Sequence, residues 1–398
     1  MAEDPVVISA YARTPIGSFQ GALAGLTAPE LGSAAVRAAV ERAGIAGEAV
    51  DQVVDQVIMG CVLPAGLGQA PARQAALGAG LPQHVAATTV NKMCGSGLQA
   101  AILAADTLAA GSADIIVAGG MESMSNAPYL LAKHRGGARI GHDRILDSLY
   151  LDGLEDAYDK GRLMGAFAEE TARTHQLTRA GQDAYALESL ERARAAEASG
   201  AFSREIVAVD VPAKGGPVTV RRDEQPQRAD PARIPTMKPA FAEGGTITAA
   251  NASSISDGAA ALVLTRASVA ARRGLPVLAQ VVAHAVHAQA PALFATAPAP
   301  AIRKALQRAG WAPGEVDLYE VNEAFAAVAM IAMHELAIPR ERLNVNGGAC
   351  ALGHPIGASG ARVLATLLAA LEARGARRGV AALCIGGGEA VAMAVERD

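Results

Sequence analysis

Four cysteines, Cys61, Cys94, Cys350 and Cys384, and eight histidines are spread through the chain, and a few of them sit where chemistry competes with packing as an explanation. In "TVNKMCGSGLQAA", Thr89 to Ala101, Cys94 falls between a β-branched run and the first turn of an expected helix. Unpaired N–H groups and the dipole at a helix start favour negative charge, so a cysteine there is expected to have a lowered pKa and to act as a thiolate nucleophile. Gly95 and Gly97 allow the backbone to approach a substrate closely. The competing reading is a small buried apolar cysteine, which the glycine context only partly outweighs. A nucleophile needs a base, and His354 in "GGACALGHPIGASGAR" occupies a comparable Gly-rich turn. His134, His142 and His175 read instead as surface loop residues. Cys384 ends a strand-like run in "LCIGGGEA", where successive glycine N–H groups offer an oxyanion hole. One thiol, one imidazole and a second thiol at three strand ends suggest covalent acyl transfer with a separate acid/base.

The elements that must position these residues alternate. Short Val/Ile/Leu runs ("VVDQVIMGCV", "ADIIVAGG", "RGVAALCIGGG") follow Ala-rich helical segments ("ELGSAAVRAAVERAGI", "ARVLATLLAALEARG"), which predicts a layered α/β protein with buried, largely parallel strands. "TVNKMCGSGLQAAILAADTLAAGSADIIVAGGMES" and "NVNGGACALGHPIGASGARVLATLLAALEARGARRGVAALCIGGGEA" share one order: a VN strand end, a Gly-rich turn, an Ala/Leu helix closed by Gly, and a strand ending in glycines. This reads as an internal duplication, with "VVISAYARTPIG" and "VLAQVVAHAVHA" opening the two halves. If the halves pack about a pseudo-twofold axis, Cys94 and His354 meet at the centre. A more charged stretch, with "KHRGGAR", "RRDEQPQR" and a long helix near "RAGQDAYALESLERARAAEASG", reads as an insertion over one face of the core. The expected division is 1–120 as an N-terminal core completed by 251–270, 121–250 as the insertion, and 271–398 as a C-terminal core.

Composition excludes other classes. The 398 residues carry 35 Lys and Arg against 39 Asp and Glu, a net charge of −4, so an anionic partner must be met by local basic groups. With aromatics at 3%, nucleic acid is not an expected partner. The apolar runs are broken before membrane-spanning length, so no membrane partner is expected. "MAEDPVVISAYART" lacks the features of a secretory signal, and a cytoplasmic location is expected. The cysteines form no CxxC pair, so neither a metal site nor a disulfide framework is expected.

"NKMCGSGLQAA", "GGMESMSNAPY", "NASSISDGAAA", "EVNEAFA", "NVNGGACALGHPIGASGAR" and "CIGGG", in this order and at these spacings, resemble the motifs of the thiolases, in the acetyl-CoA acetyltransferase group, from end to end of the chain. The resemblance implies the thiolase fold, an α/β duplicated layered α-β-α-β-α core with an inserted loop domain that binds coenzyme A. It implies that Cys94 is the acylated nucleophile, that His354 activates it and lines one oxyanion hole, and that Cys384 exchanges the α-proton. Asn322 matches the residue that holds a water in that first hole, and the N–H groups of Cys94 and Gly386 match the second. Contacts to coenzyme A map to Leu154, Met164, Arg228, Ala249, Ser253 and Phe325. The activity implied is reversible Claisen condensation of two acetyl-CoA to acetoacetyl-CoA and CoA, or thiolysis of short to medium 3-ketoacyl-CoA. No cofactor is expected beyond coenzyme A itself, and the oligomer expected is a homodimer or homotetramer.

Some positions depart from the family pattern. Leu163 stands where His is frequent, Glu389-Ala390 where Met-Gly is frequent, Ser254 where Gly is common, Phe294 where Met is common, and Ala290 replaces an acid. None belongs to the inferred catalytic set, but together they bear on acyl-chain length. Three alternatives are a degradative 3-ketoacyl-CoA thiolase of broader range, a ketoacyl-carrier-protein synthase, and a nonenzymatic CoA-binding or thiol-redox protein. The second thiol in "CIGGG" argues against the synthase, which would use two histidines. The set Cys94, His354, Cys384 and Asn322 argues against the noncatalytic reading.

Overall fold

The structure, a computed structural model, describes residues 4–45 and 53–398; residues 1–3 of the opening segment lie outside it. The first half contributes strands β1 (Val6–Arg13), β2 (Gln56–Gly60), β3 (Ala86–Val90), β4 (Ile115–Ser123) and β5 (Ser256–Arg266). The second contributes β6 (Ala279–Ala288), β7 (Leu318–Val321), β8 (Arg378–Ile385) and β9 (Glu389–Glu396). Their hydrogen-bonded order is β3-β2-β4-β5-β1-β6-β9-β8-β7, so the second half repeats the order of the first. The halves join at only two residue pairs, Val7 with Gln280 and Ile8 with Ala279.

Side-chain alternation along each strand divides the apolar residues between two faces, and helices cover both. On β4, Ile115 and Val117 face α1 (Ala28–Arg42) and α2 (Pro71–Gly78), with Leu31, Val36 and Ala75 in the same cluster. Ile116 and Ala118 face inward, onto α3 (Ser96–Ala109). This central layer is shared. Leu98 and Ile102 of α3 and Leu364 and Leu368 of α8 (Ser359–Arg374) pack with Leu262 from the first half and with Leu383 and Met393 from the second. The outer face of the second half is closed by α6 (Pro298–Ala309) and α7 (Ala326–Glu335), through Ile302, Leu306 and Val328. Five layers result, helix, sheet, helix, sheet, helix.

Between β4 and β5 the inserted stretch folds over the core as two short hairpins, α4 (Met164–Thr174) and α5 (Arg179–Ala198). It is tied down by Arg13 of β1, fully buried, which bonds both carboxylate oxygens of Asp223 at 2.7 and 2.9 Å and pairs with Glu205 at 3.1 Å.

Two expectations need correction. Only β2–β3, β2–β4 and β7–β8 pair in parallel, while β1–β5, β4–β5, β1–β6, β6–β9 and β8–β9 are antiparallel. Burial on both faces produces continuous apolar runs whatever the pairing, so the runs do not report direction. The turn Gly386–Gly388 does, since Gly387 and Gly388 adopt φ of +92° and +84° and return the chain as a hairpin. The "NVN" of the second half is also no strand. Asn344 lies in the left-handed region at φ +48°, and its side-chain amide accepts from Val321 N–H and donates to Val321 C=O, both at 2.8 Å. The amide takes the place of a neighbouring strand at the edge of β7.

The two central helices approach until their backbones touch. A Cβ on Gly360 would fall 2.1 Å from the backbone nitrogen of Leu98, and one on Gly97 would fall 2.7 Å from that of Ala361. Gly360→Ala is therefore expected to cost more than the ~1–3 kcal/mol of ordinary overpacking, because backbone cannot swing aside. A lowered thermal midpoint and lost activity should follow, whereas Gly314→Ala, with nothing within 4 Å, should leave both unchanged.

Candidate active site

Three turns converge at the end of the central layer. The first carries Cys94, two residues before α3, and is held by its own polar groups. Met93 is forced into the left-handed region at φ +46°, its N–H bonded to Asn91 Oδ1 at 3.0 Å. Ser96 Oγ accepts from Lys92 N–H at 2.8 Å and donates to Met93 C=O at 2.6 Å. The strained turn presents the Cys94 sulfur to two backbone donors, its own N–H and that of Gly386. Cys384, buried at the end of β8, lies close enough that charge on either thiol raises the pKa of the other.

The second turn carries His354, which is 5% exposed. Its Nδ1 is hydrogen-bonded to Ser359 Oγ, whose hydroxyl also reaches Pro355 C=O at 2.9 Å. With that hydroxyl turned to Pro355, Nδ1 carries the proton and the Nε2 lone pair is free to accept one; with it turned to Nδ1, Nε2 carries the proton and donates. The third turn carries Asn322, 1% exposed, whose Nδ2 stands 3.5 Å from His354 Nε2. Arg362 fixes the amide by donating to its Oδ1 at 3.2 Å, and is itself fixed by Glu320 at 3.0 Å. The His354 turn meets the Cys94 turn through Ile356, which packs in one cluster with Met93, Cys94 and Leu154.

Glu122, fully buried, accepts N–H bonds from Val62 at 2.9 Å, Leu63 at 3.1 Å and Gly357 at 2.9 Å, joining the end of β4 to the His354 turn. Burial pushes its carboxyl up to about 7 despite these donors.

The expected lowering of the Cys94 pKa is overturned. Burial pushes the thiol up to about 11, and the N–H groups of Gly386 and Cys94 only moderate the rise. Cys94 precedes the helix instead of capping it, and desolvation outweighs two neutral donors. Cys384 is raised further, first by burial and then by Cys94. Burial, with Arg362 nearby, lowers His354 to about 3, so its imidazole is neutral at ordinary pH.

The residues expected to hold coenzyme A fall into two groups. Leu154 packs in the Cys94 cluster, and Met164 Sδ lies 3.3 Å from where a Cβ of Gly386 would stand. Ser253 N–H bonds to Ala324 C=O at 2.9 Å, beside Phe325, which is 7% exposed. Arg228 and Ala249 line a separate cleft of about 220 Å³ with Gln225, Asp230, Met237 and Cys350. Arg228 is exposed and paired with Glu224 at 2.7 Å. Phe325 stands edge-on to both Phe294 and Phe241, with centroids 6.1 and 6.0 Å apart. Sequence reasoning missed Ser359, Arg362 and Glu320 as orienting groups, although each lies inside a quoted motif; the signal was a polar residue in an element otherwise buried on every side, a helix for Ser359 and Arg362 and a strand for Glu320.

The chain matches the family models for "Thiolase, N-terminal domain" over residues 6–268 and "Thiolase, C-terminal domain" over 275–397. An acetyl-CoA acetyltransferase of Pseudomonas aeruginosa is 50% identical over 99% of each chain, and acetyl-CoA acetyltransferase 2 of Arabidopsis thaliana 51% identical over 98% of this chain and 96% of that one. The crystal structure of the Bacillus anthracis acetyl-CoA acetyltransferase superposes with a TM-score of 0.95, at 40% identity and 99% coverage of each chain.

A resting site with protonated thiols makes a direct prediction. Thiolate absorbance in the ultraviolet should be missing for Cys94 between pH 5 and 9, taking wild type minus Cys94→Ala, and should rise towards pH about 11. A titration midpoint below 7 would mean a preformed thiolate–imidazolium pair and overturn this electrostatic picture.

Proposed function

The chain belongs to the thiolase family, and from that premise we propose that it interconverts two acetyl-CoA with acetoacetyl-CoA and CoA through an acyl group carried on Cys94. The observation that carries the reading is the Cys94 sulfur facing two backbone N–H donors from different halves of the chain, with a second thiol beside it. In the first step the sulfur attacks the thioester carbon and its proton passes to His354 Nε2. The carbonyl oxygen becomes an oxyanion between the N–H groups of Cys94 and Gly386, and the CoA sulfur leaves with the proton. Because burial disfavours the imidazolium, that proton is not retained. In the second step Cys384, its own proton having first left to solvent, acts as a thiolate and takes a proton from the α-carbon of the second acetyl-CoA. The enolate oxygen is held by His354 Nε2–H, with Ser359 turned to Nδ1, and by a water on Asn322. The new carbon–carbon bond forms at the acyl carbon, the carbon–sulfur bond breaks, and Cys94 leaves as a thiolate that is reprotonated from solvent.

Leu154, Met164, Ser253 and Phe325 are proposed to hold the pantetheine end of coenzyme A, and Arg228 and Ala249 the nucleotide end. The division into 1–120 with 251–270, 121–250 and 271–398 is supported by β5 pairing within the first half and by the insertion between β4 and β5. Among the described residues no helix is long and apolar enough to cross a membrane, and a cytoplasmic site of action is proposed with it. A homodimer or homotetramer is favoured by the apolar residues that the first hairpin exposes, Tyr129, Leu131, Ile140 and Ile145.

Division of labour gives one test. Acetyl-CoA should leave an acetyl adduct on the Cys94 peptide in the wild type and in Cys384→Ala, by mass spectrometry, while Cys384→Ala stops condensation. Cys94→Ala should abolish both, and Asn322→Ala should lower condensation by roughly 10²–10³-fold as a lost oxyanion group does. An adduct on another residue, or normal condensation by Cys384→Ala, refutes the assignment.

Chain length gives another. Phe294, 2% exposed against Phe325, closes the space that a flexible methionine would leave, while Leu163 adds apolar wall. Thiolysis should be fastest on acetoacetyl-CoA, continue on moderately longer 3-ketoacyl-CoA and fall off for long chains, and Phe294→Ala should shift the profile to longer chains. An unchanged profile would place the limiting wall elsewhere.

A further inference from the structure

Lys92 and Glu389 form an ion pair between side chains 23% and 34% exposed, across 297 positions of sequence. Neither residue has a part in the chemistry described above, yet each sits on one of the two turns that make the acyl-enzyme oxyanion hole. Lys92 is two residues before Cys94, and its backbone is anchored to Ser96. Glu389 opens β9 directly after the Gly386–Gly388 turn, in register with Ile385. Between them the turns are in contact, since a Cβ on Gly95 would fall 2.4 Å from Ile385 Cδ1 and 3.2 Å from Val391 Cγ2.

The two donors of the hole belong to different halves of the chain, so the distance between them is set by contacts across the two turns and not by one continuous element. The Met93 turn is strained, and Gly388 is anchored within its own half, its C=O accepting from Gln289 N–H at 2.9 Å. An oxyanion hole works only if its donors are held where the charge develops, to within about half an ångström. A half-exposed ion pair adds little to global stability, so its location is better explained by alignment than by stabilisation.

We propose that Lys92 and Glu389 are positioning residues that clamp the Cys94 turn to the Gly386 turn and so set the geometry of the acyl-enzyme oxyanion hole. The pair deepens the acyl-cysteine reading above and rests on it.

The test is the acetylation half-reaction, followed by rapid quench and mass spectrometry of Cys94 over a range of acetyl-CoA concentrations. Lys92→Met and Glu389→Met should each slow the maximal acetylation rate by roughly tenfold, the scale of a sub-ångström misplacement, with half-saturating acetyl-CoA and thermal midpoint nearly unchanged. The exchanged double variant Lys92→Glu/Glu389→Lys should recover most of the rate. Raising salt should slow the wild type but not the Lys92→Met/Glu389→Met double variant, because only the former has a pair to screen. Single variants within about twofold of wild type, or an exchanged variant no faster than either single, would overturn the clamp. A wild type that acquires no acetyl group on Cys94 would instead overturn the acyl-cysteine reading itself.

Discussion

The contact between the backbones of α3 and α8 at Gly97 and Gly360 sets the scale on which everything else is built. One helix begins just after Cys94 and the other just after His354, so the distance between the helices fixes how far apart the two turns stand. Any side chain at the crossing would push the layers apart. The sheets inherit the same constraint, since Gly120 at the end of β4 has room for no Cβ beside Gly357 C=O, which would be 2.0 Å away. Joined at their edges by only two residue pairs, the halves are held together mainly by this shared helical layer.

Such packing buries His354 and Cys384 and leaves Cys94 partly exposed, and this determines the electrostatics. Desolvation keeps both thiols protonated and the imidazole neutral, so the resting site carries no catalytic charge. Charge appears only when a thioester supplies an oxygen that the turns can stabilise. The cost of deprotonating Cys94 is thereby confined to the moment when backbone donors can offset it.

Much of this was legible in the sequence. The duplication was visible because both halves repeat turn, helix and strand, and the structure repeats the strand order. The proposed site residues Cys94, His354 and Cys384 stood out in the sequence because each lies in or next to a glycine-rich turn. Strand direction was not legible, because strands buried on both faces show no alternation. The role of the Asn344 amide at the edge of β7 was hidden as well, since "VN" is the same dipeptide in both halves and the difference lies one residue earlier, Thr89 in the first half and Asn344, with its left-handed backbone, in the second. The sign of the Cys94 shift was misjudged because position relative to a helix is readable in sequence whereas depth is not.

Proximity of the two thiols gives the proposed cycle its order. Charge on either raises the pKa of the other, so both cannot be thiolates together. In the resting site both are neutral thiols, so the coupling acts only when one of them ionises. Once acylated, Cys94 has no proton to lose, so a thiolate on Cys384 has no second thiolate to oppose it. The acyl acceptor is thus formed first, and the base acts on the second acetyl-CoA afterwards. The same coupling runs backwards in thiolysis: a protonated Cys384 returns the α-proton as the acyl chain passes to Cys94. A single pair of adjacent thiols thus carries charge on one sulfur at a time through both half-reactions.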